Sequence, residues 1–145
     1  MSFALHPVAA TDPAFLDALR TADLPTEDLG HAGQRVFALV DADGPCAWGA
    51  WEGEGPDRLL RSVVVAPSKR GRGLARTLVR ALERAGADDG ARRFWLLTTT
   101  AADVFEALGY RRVARAEAPA EILAHPQFVG LCPASAACLL RDLAP

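Results

Sequence analysis

Hydrophobic positions along the chain follow two periods, and the change between them is sharpest at Leu74. Upstream, Leu59 to Val65 is short and rich in valine, a strand composition, and Pro67, Gly71 and Gly73 force a turn after it. Downstream, Leu74, Leu78, Ala81, Leu82 and Ala85 recur at helical spacing, with Arg76, Arg80, Glu83 and Arg84 mostly on the other face. A strand, a basic glycine-rich turn and an amphipathic helix therefore follow one another.

The same pattern predicts the remaining elements. Phe3 to Val8 reads as a first strand; Asp12 and Pro13 begin a helix that buries Phe15, Leu16 and Leu19. Pro25-Thr26-Glu27-Asp28 carries helix-start signals, so residues 24–32 are expected to form a short helix or lid. Gln34 to Asp41 and Cys46 to Glu52 are two strands around an Asp43-Gly44 hairpin signal, and residues 53–56 turn the chain back into the central strand. Trp48 and Trp51 are expected in the core or on a sheet face.

After the helix come a loop from Gly86 to Ala91, a strand from Arg93 to Thr100 parallel to the central one, and a helix from Ala101 to Leu108. Pro119 to His125 reads as a short helix, Phe128 to Ser135 as a loop, and Ala136 to Arg141 as the last strand. The class is α/β: a mixed, mainly antiparallel sheet of six or seven strands with helices on both faces, expected as one domain over residues 1–145.

Composition narrows the function. A chain of 145 residues, 50% of them hydrophobic, can bury a sizeable core, and a formal charge of −2 argues against nucleic acid as partner. No apolar run is long enough to span a membrane and no leader-like start is evident, so a cytoplasmic location is expected. Cys46, Cys132 and Cys138 form no Cys-x-x-Cys pair and read as small buried side chains; soft-metal or arsenite capture by Cys132 and Cys138 is the alternative. His6, His31 and His125 lack metal-ligand spacing, and no metal is expected.

The turn itself suggests an anion site. A helix start offers unpaired N–H groups and partial positive charge, glycine lets ligand oxygens approach the backbone, and Arg70 and Arg72 add full charges. Diphosphate suits that arrangement better than carboxylate. No Gly-Lys pair exists to make a Walker loop, and the dinucleotide fingerprint fails because its third glycine position is Arg76.

Arg70-Gly71-Arg72-Gly73-Leu74-Ala75, preceded by Val63-Val64-Val65-Ala66-Pro67, resembles the coenzyme A loop of the GNAT N-acetyltransferase superfamily. Phe105-Glu106-Ala107-Leu108-Gly109-Tyr110 is similar to that family's helix-end motif. The resemblance implies a GNAT fold whose two parallel strands splay around the pantetheine arm, with acetyl-CoA as cosubstrate. Val63 and Val65 would offer backbone hydrogen bonds, Phe105 would pack on the cofactor, and Arg70, Gly71, Arg72, Gly73, Leu74 and Ala75 would hold the diphosphate. It also implies a homodimer, since late apolar strands in the superfamily often pair.

One departure bears on mechanism. The family often carries a tyrosine, which protonates the departing thiolate, where this chain has Phe105; Tyr110 is the only tyrosine and sits in a packing position. The implied chemistry is direct attack of a neutral primary amine on the thioester, driven by orientation and N–H donors. With no carboxylate in reach on the central strands, a water held by Ser62, Thr99 or Thr100 is expected to take the proton, with Glu52 and Glu54 as more distant bases.

Leu97 to Asp103, Ala116 to Pro119 and Leu131 to Ala136, with Leu60 to Val65, resemble the GNAT subgroup associated with arsenic resistance. That implies a small toxic amine or amino acid as acceptor, such as an arsenic-containing or phosphinothricin-like compound. Arg61, which strict alternation places on the face of Val63 and Val65, needs a partner: a substrate carboxylate, or an ion pair with Glu52 or Glu117. Phe128, Cys132 and Ser135 are expected to wall the acceptor side, Ser135 bonding substrate or backbone. The competing readings are a non-catalytic acyl-CoA-binding or sensory module and a protein or peptide N-acetyltransferase.

Overall fold

The computed structural model describes residues 2–30, 33–131 and 135–143. Its elements run β1 (Ala4–Val8), α1 (Pro13–Thr21), β2 (Gln34–Asp41), β3 (Gly44–Glu52), β4 (Asp57–Val65), α2 (Leu74–Asp88), β5 (Arg93–Thr98), α3 (Ala102–Ala107), β6 (Arg111–Val113), α4 (Ala120–Leu123) and β7 (Ala137–Asp142). The strands form one seven-stranded sheet in the order β1-β2-β3-β4-β5-β7-β6. Every pairing is antiparallel except the central one, β4 with β5.

Strand alternation sends one set of side chains to each face. Leu39, Ala47, Leu60, Phe94, Leu96 and Leu139 pack under Leu74, Leu78, Val79 and Leu82 of α2. Val36, Ala38, Trp48, Ala50 and Val64 pack under Phe15, Ala18 and Leu19 of α1 on the opposite face. Asp12 caps α1 by accepting from the Phe15 N–H at 3.1 Å, as its position before Pro13 predicts. Trp48 and Trp51 are buried in these two cores.

Three expectations fail for local reasons. Gly86 does not open the loop: α2 continues to Asp88, because a side chain at Gly86 would meet the Phe94 ring at 2.7 Å and glycine lets helix and strand touch. Residues 24–30 hold no helix, since side chains satisfy the backbone instead. Gln34 accepts from the Gly30 N–H at 2.7 Å and donates to the Asp28 carbonyl at 2.8 Å. Part of the loop expected from Phe128 onward winds as a π-helical turn, Gln127–Leu131.

Candidate functional site

The parallel pair that joins β4 to β5 is short. It holds only Asp57 to Arg93, Arg58 to Phe94 and Leu59 to Trp95, although β4 runs on to Val65 and β5 to Thr98. Beyond Leu59 the two strands part, as expected. A cavity of about 210 Å³ opens between them, lined by Leu60, Val63, Leu96, Thr98 and, from α3, Phe105.

A β-bulge shapes one wall. Trp48 pairs with Val64 and Ala50 with Arg61, so Ser62 and Val63 together oppose Gly49. Ser62 sits at φ 57°, in the left-handed region that non-glycine residues seldom occupy. The extra residue reverses the alternation, which corrects the sequence expectation for Arg61. Val63 and Val65 pack on the α2 side, whereas Arg61 points with Val64 to the α1 side.

At the mouth of the opening, Val63, Val65, Arg70, Gly71, Gly73, Leu74 and Ala75 line a second cavity of about 340 Å³. Gly73 caps α2 at φ 72° and Gly71 lies at φ 80°, conformations that favour glycine. A Cβ built at either glycine meets nothing within 4 Å, so the backbone faces open space at the helix start. That cradle fits an anionic group. Arg70 is exposed and donates to the Val65 carbonyl at 3.4 Å, while Arg72 is exposed on the loop but outside the cavity lining.

On the other side a third cavity, of about 290 Å³, is lined by Asp23, Leu24, Pro25, Arg61, Ser62, Leu97, Thr98, Thr99, Thr100 and Gln127. It shares Leu24, Arg61, Ser62, Leu97, Thr98 and Thr100 with the inter-strand cavity, which shares Val63 with the loop cavity. Through these shared residues the three adjoin, forming a channel-like series along the splayed strands. Thr99 and Thr100 are exposed to it; Thr98 instead accepts from the Ala101 N–H at 2.9 Å and ends β5.

Arg61 anchors a buried network that borders this channel. Its side chain is 1% exposed and pairs with Glu52 at 3.0 Å and with Asp28. It also donates to Ser62 Oγ at 3.0 Å and to the Pro25 carbonyl at 3.4 Å. Glu52 is thus the partner the sequence offered, Asp28 an additional one, and Glu117 is not involved. Glu117 instead accepts from the Ala114 N–H at 2.9 Å.

His125, to which the sequence assigned no chemistry, completes the network. Its Nδ1 accepts from the Gln127 N–H at 3.1 Å, so the ring proton lies on Nε2 and is donated to Glu52 at 2.6 Å. Burial alone would raise the Glu52 carboxyl; the hydrogen bonds from His125 and Arg61, with the Arg61 charge, outweigh it and hold it below the usual range. Asp28, Glu52 and His125 bring one donor atom each within 4.8 Å of one another, but the Arg61 guanidinium and the Nε2 proton already occupy that donor set. No periodicity or spacing signals contacts between residues so far apart in sequence.

Several expected residues lie elsewhere. Ser135 is exposed on the turn before β7, so burial does not oblige it to bond substrate or backbone. Cys132 lies outside the described residues. Phe128, expected at the acceptor wall, instead packs with Leu59, Trp95 and Ile122 beneath the sheet, and Gln127, to which the sequence assigned no role, lines the third cavity. Phe105 lines the inter-strand cavity as expected, with Tyr110 edge-on behind it at 5.5 Å between ring centres. Tyr110 itself is buried and donates to Glu83 at 2.8 Å.

A mixed sheet opened at its parallel centre, with a glycine-lined helix start at the mouth, defines an acyl-coenzyme A transferase architecture. Residues 32–112, more than half of the chain, match the acetyltransferase (GNAT) domain model, and the chain belongs to that family. The match reaches the family and not the arsenic-resistance subgroup. No curated protein matches the chain significantly.

Solved structures agree on the fold. The N-acetylglutamate synthase from Neisseria gonorrhoeae, complexed with coenzyme A and N-acetyl-glutamate, superposes with a TM-score of 0.82 at 14% identity. That alignment covers 100% of this chain and 36% of the synthase, so the chain spans about a third of that enzyme. Rv2747 from Mycobacterium tuberculosis, in complex with CoA and NLQ, gives 0.76 at 18% identity over 97% of this chain and 99% of that one. An aminoglycoside 6'-N-acetyltransferase complexed with coenzyme A gives 0.69 at 16% identity over 98% of both chains.

Proposed function

We propose that the protein transfers the acetyl group of acetyl-CoA to the primary amine of a small molecule, by direct attack in a ternary complex. The observation that carries this reading is the channel. A glycine-lined helix start, an inter-strand slot and a small third cavity follow one another across the splayed strands. Acetyl-CoA supplies an activated acetyl thioester when bound. Arg70, Gly71, Arg72, Gly73, Leu74 and Ala75 hold its diphosphate, Val63 and Val65 bond its arm, and Phe105 packs against it. Ser62, Thr99 and Thr100 hold the water that removes the proton of the amine.

A cavity of about 290 Å³ favours a small acceptor over a protein or peptide. Arg61 serves this site by holding Asp28 and Glu52 rather than by meeting a substrate carboxylate, since its own side chain is only 1% exposed. The neighbours named above include proteins complexed with N-acetyl-glutamate and an aminoglycoside acetyltransferase, so amino acids and amino sugars are the first acceptors to try. The arsenic-containing and phosphinothricin-like analogues implied by the sequence likeness join that panel. Thiol release from acetyl-CoA in the presence of each amine tests the reading: turnover with at least one is expected, and binding of acetyl-CoA without turnover on any would leave a sensory module instead.

A further inference from the structure

We propose that Asp23 binds the ammonium group of the acceptor, and that the acceptor is a cationic amine lacking a carboxylate beside it. This rests on the acetyltransferase reading and narrows it. Asp23 follows α1, where the Ala22 N–H bonds the Ala18 carbonyl at 3.1 Å and the Leu24 N–H reaches back to the Leu19 carbonyl at 2.9 Å. That helix-end turn puts Asp23 at φ 58°, a position that glycine or asparagine normally fills. The left-handed backbone is one that aspartate tolerates, but its charge there is disfavoured by the negative end of the helix dipole.

The Asp23 carboxylate has no hydrogen bond or ion pair among the described residues, and Asp23 is one of the residues that line the acceptor cavity with Ser62. Asp23 and Ser62 are also the two non-glycine residues with positive φ among the described residues, and both face this one cavity. Local rules are broken in this way where function requires it.

The charge around the cavity selects the ligand. Arg61 is the cation among the residues of its lining, and it is already shared between Asp28 and Glu52. A second anionic group on the acceptor would find no free cation among the described residues of that lining, whereas an ammonium finds an unpaired carboxylate. The transfer forms the C–N bond and breaks the C–S bond. An ammonium and the thioester become an amide, a thiol and one released proton.

The test is thiol release with acetyl-CoA by the wild type and Asp23→Asn, since asparagine accepts the left-handed backbone and removes only the charge. Acceptors are benzylamine, 1,4-diaminobutane and glucosamine, protonated at neutral pH, with aniline as a neutral amine and glutamate as an anionic one. The expected result has three parts. Wild-type kcat/KM for the best carboxylate-free cation exceeds that for glutamate at least tenfold. Asp23→Asn lowers that value at least tenfold, mainly through KM, with a loss on aniline at least fivefold smaller. The Kd for acetyl-CoA stays within twofold. Glutamate as best acceptor, equal activity of the two proteins, or equal losses on aniline and the cations would each overturn the assignment while leaving the acetyltransferase reading standing. Saturable acetyl-CoA binding with no turnover of any amine would remove that reading and Asp23's role with it.

Discussion

Tyr110 donates its phenolic proton to Glu83 at 2.8 Å, which removes the chain's only tyrosine from the reaction. Burial and the adjacent Glu83 carboxylate push its ionisation far upward, and the Phe105 ring stands between it and the inter-strand cavity. Tyr110→Phe should therefore keep kcat within about twofold while costing about 1.5–3 kcal/mol of stability, the range for a hydrogen bond to a charged group. Urea unfolding and steady-state rates on one preparation check both halves. A hundredfold loss of kcat with intact stability would restore tyrosine as the acid.

Arg61→Met should destabilise strongly. The guanidinium holds two buried carboxylates, Asp28 and Glu52, and removing it leaves Asp28 without its cation and Glu52 with the His125 hydrogen bond alone, at a cost of about 3–5 kcal/mol. Denaturant midpoints measure the loss. A variant as stable as the wild type would show that the network contributes nothing to the fold.

Much of this architecture was legible in the sequence. Period-two and helical runs predicted the sheet and α2, and Arg70 to Ala75 marked the helix start, because these features depend on neighbours in the chain. The bulge at Ser62 was not legible, since no residue pattern announces a left-handed serine, and missing it placed Arg61 on the wrong face. Nor was the Glu52–His125 contact, which joins residues 73 positions apart. Glu83, expected on the polar face of its helix, is buried because Arg80, Tyr110 and Arg141 converge on it.

Asp57 predicts an acid-labile link at the closed end of the splay. The Arg93 hydrogen bonds, aided by the Trp95 indole, hold its carboxyl below the usual range against its burial. A lowered folded-state value stabilises fully above the unfolded value of about 3.9, and that stability is lost as pH falls through the folded value. The stability gap between wild type and Asp57→Asn should therefore be constant from about pH 7 to 5 and shrink toward pH 3. Paired urea titrations across that range test it; a gap that widens on acidification would reverse the sign.

Thr99 and Thr100 are exposed to the acceptor cavity and touch neither core. Replacing both with alanine should lower kcat by about tenfold or more, with little change in stability or acetyl-CoA affinity, if they hold the proton-accepting water. Unchanged turnover would move that role to another group.

The central claim is that the loop before α2 holds coenzyme A. Calorimetric titration of acetyl-CoA and of free coenzyme A into the wild type and the Arg70→Ala/Arg72→Ala double variant tests it most directly. Saturable binding by the wild type, weakened in the double variant, is the predicted result; at ligand near 100 times Kd it should also add about 2.7 kcal/mol of apparent stability. Folded wild-type protein that binds neither ligand would contradict the account.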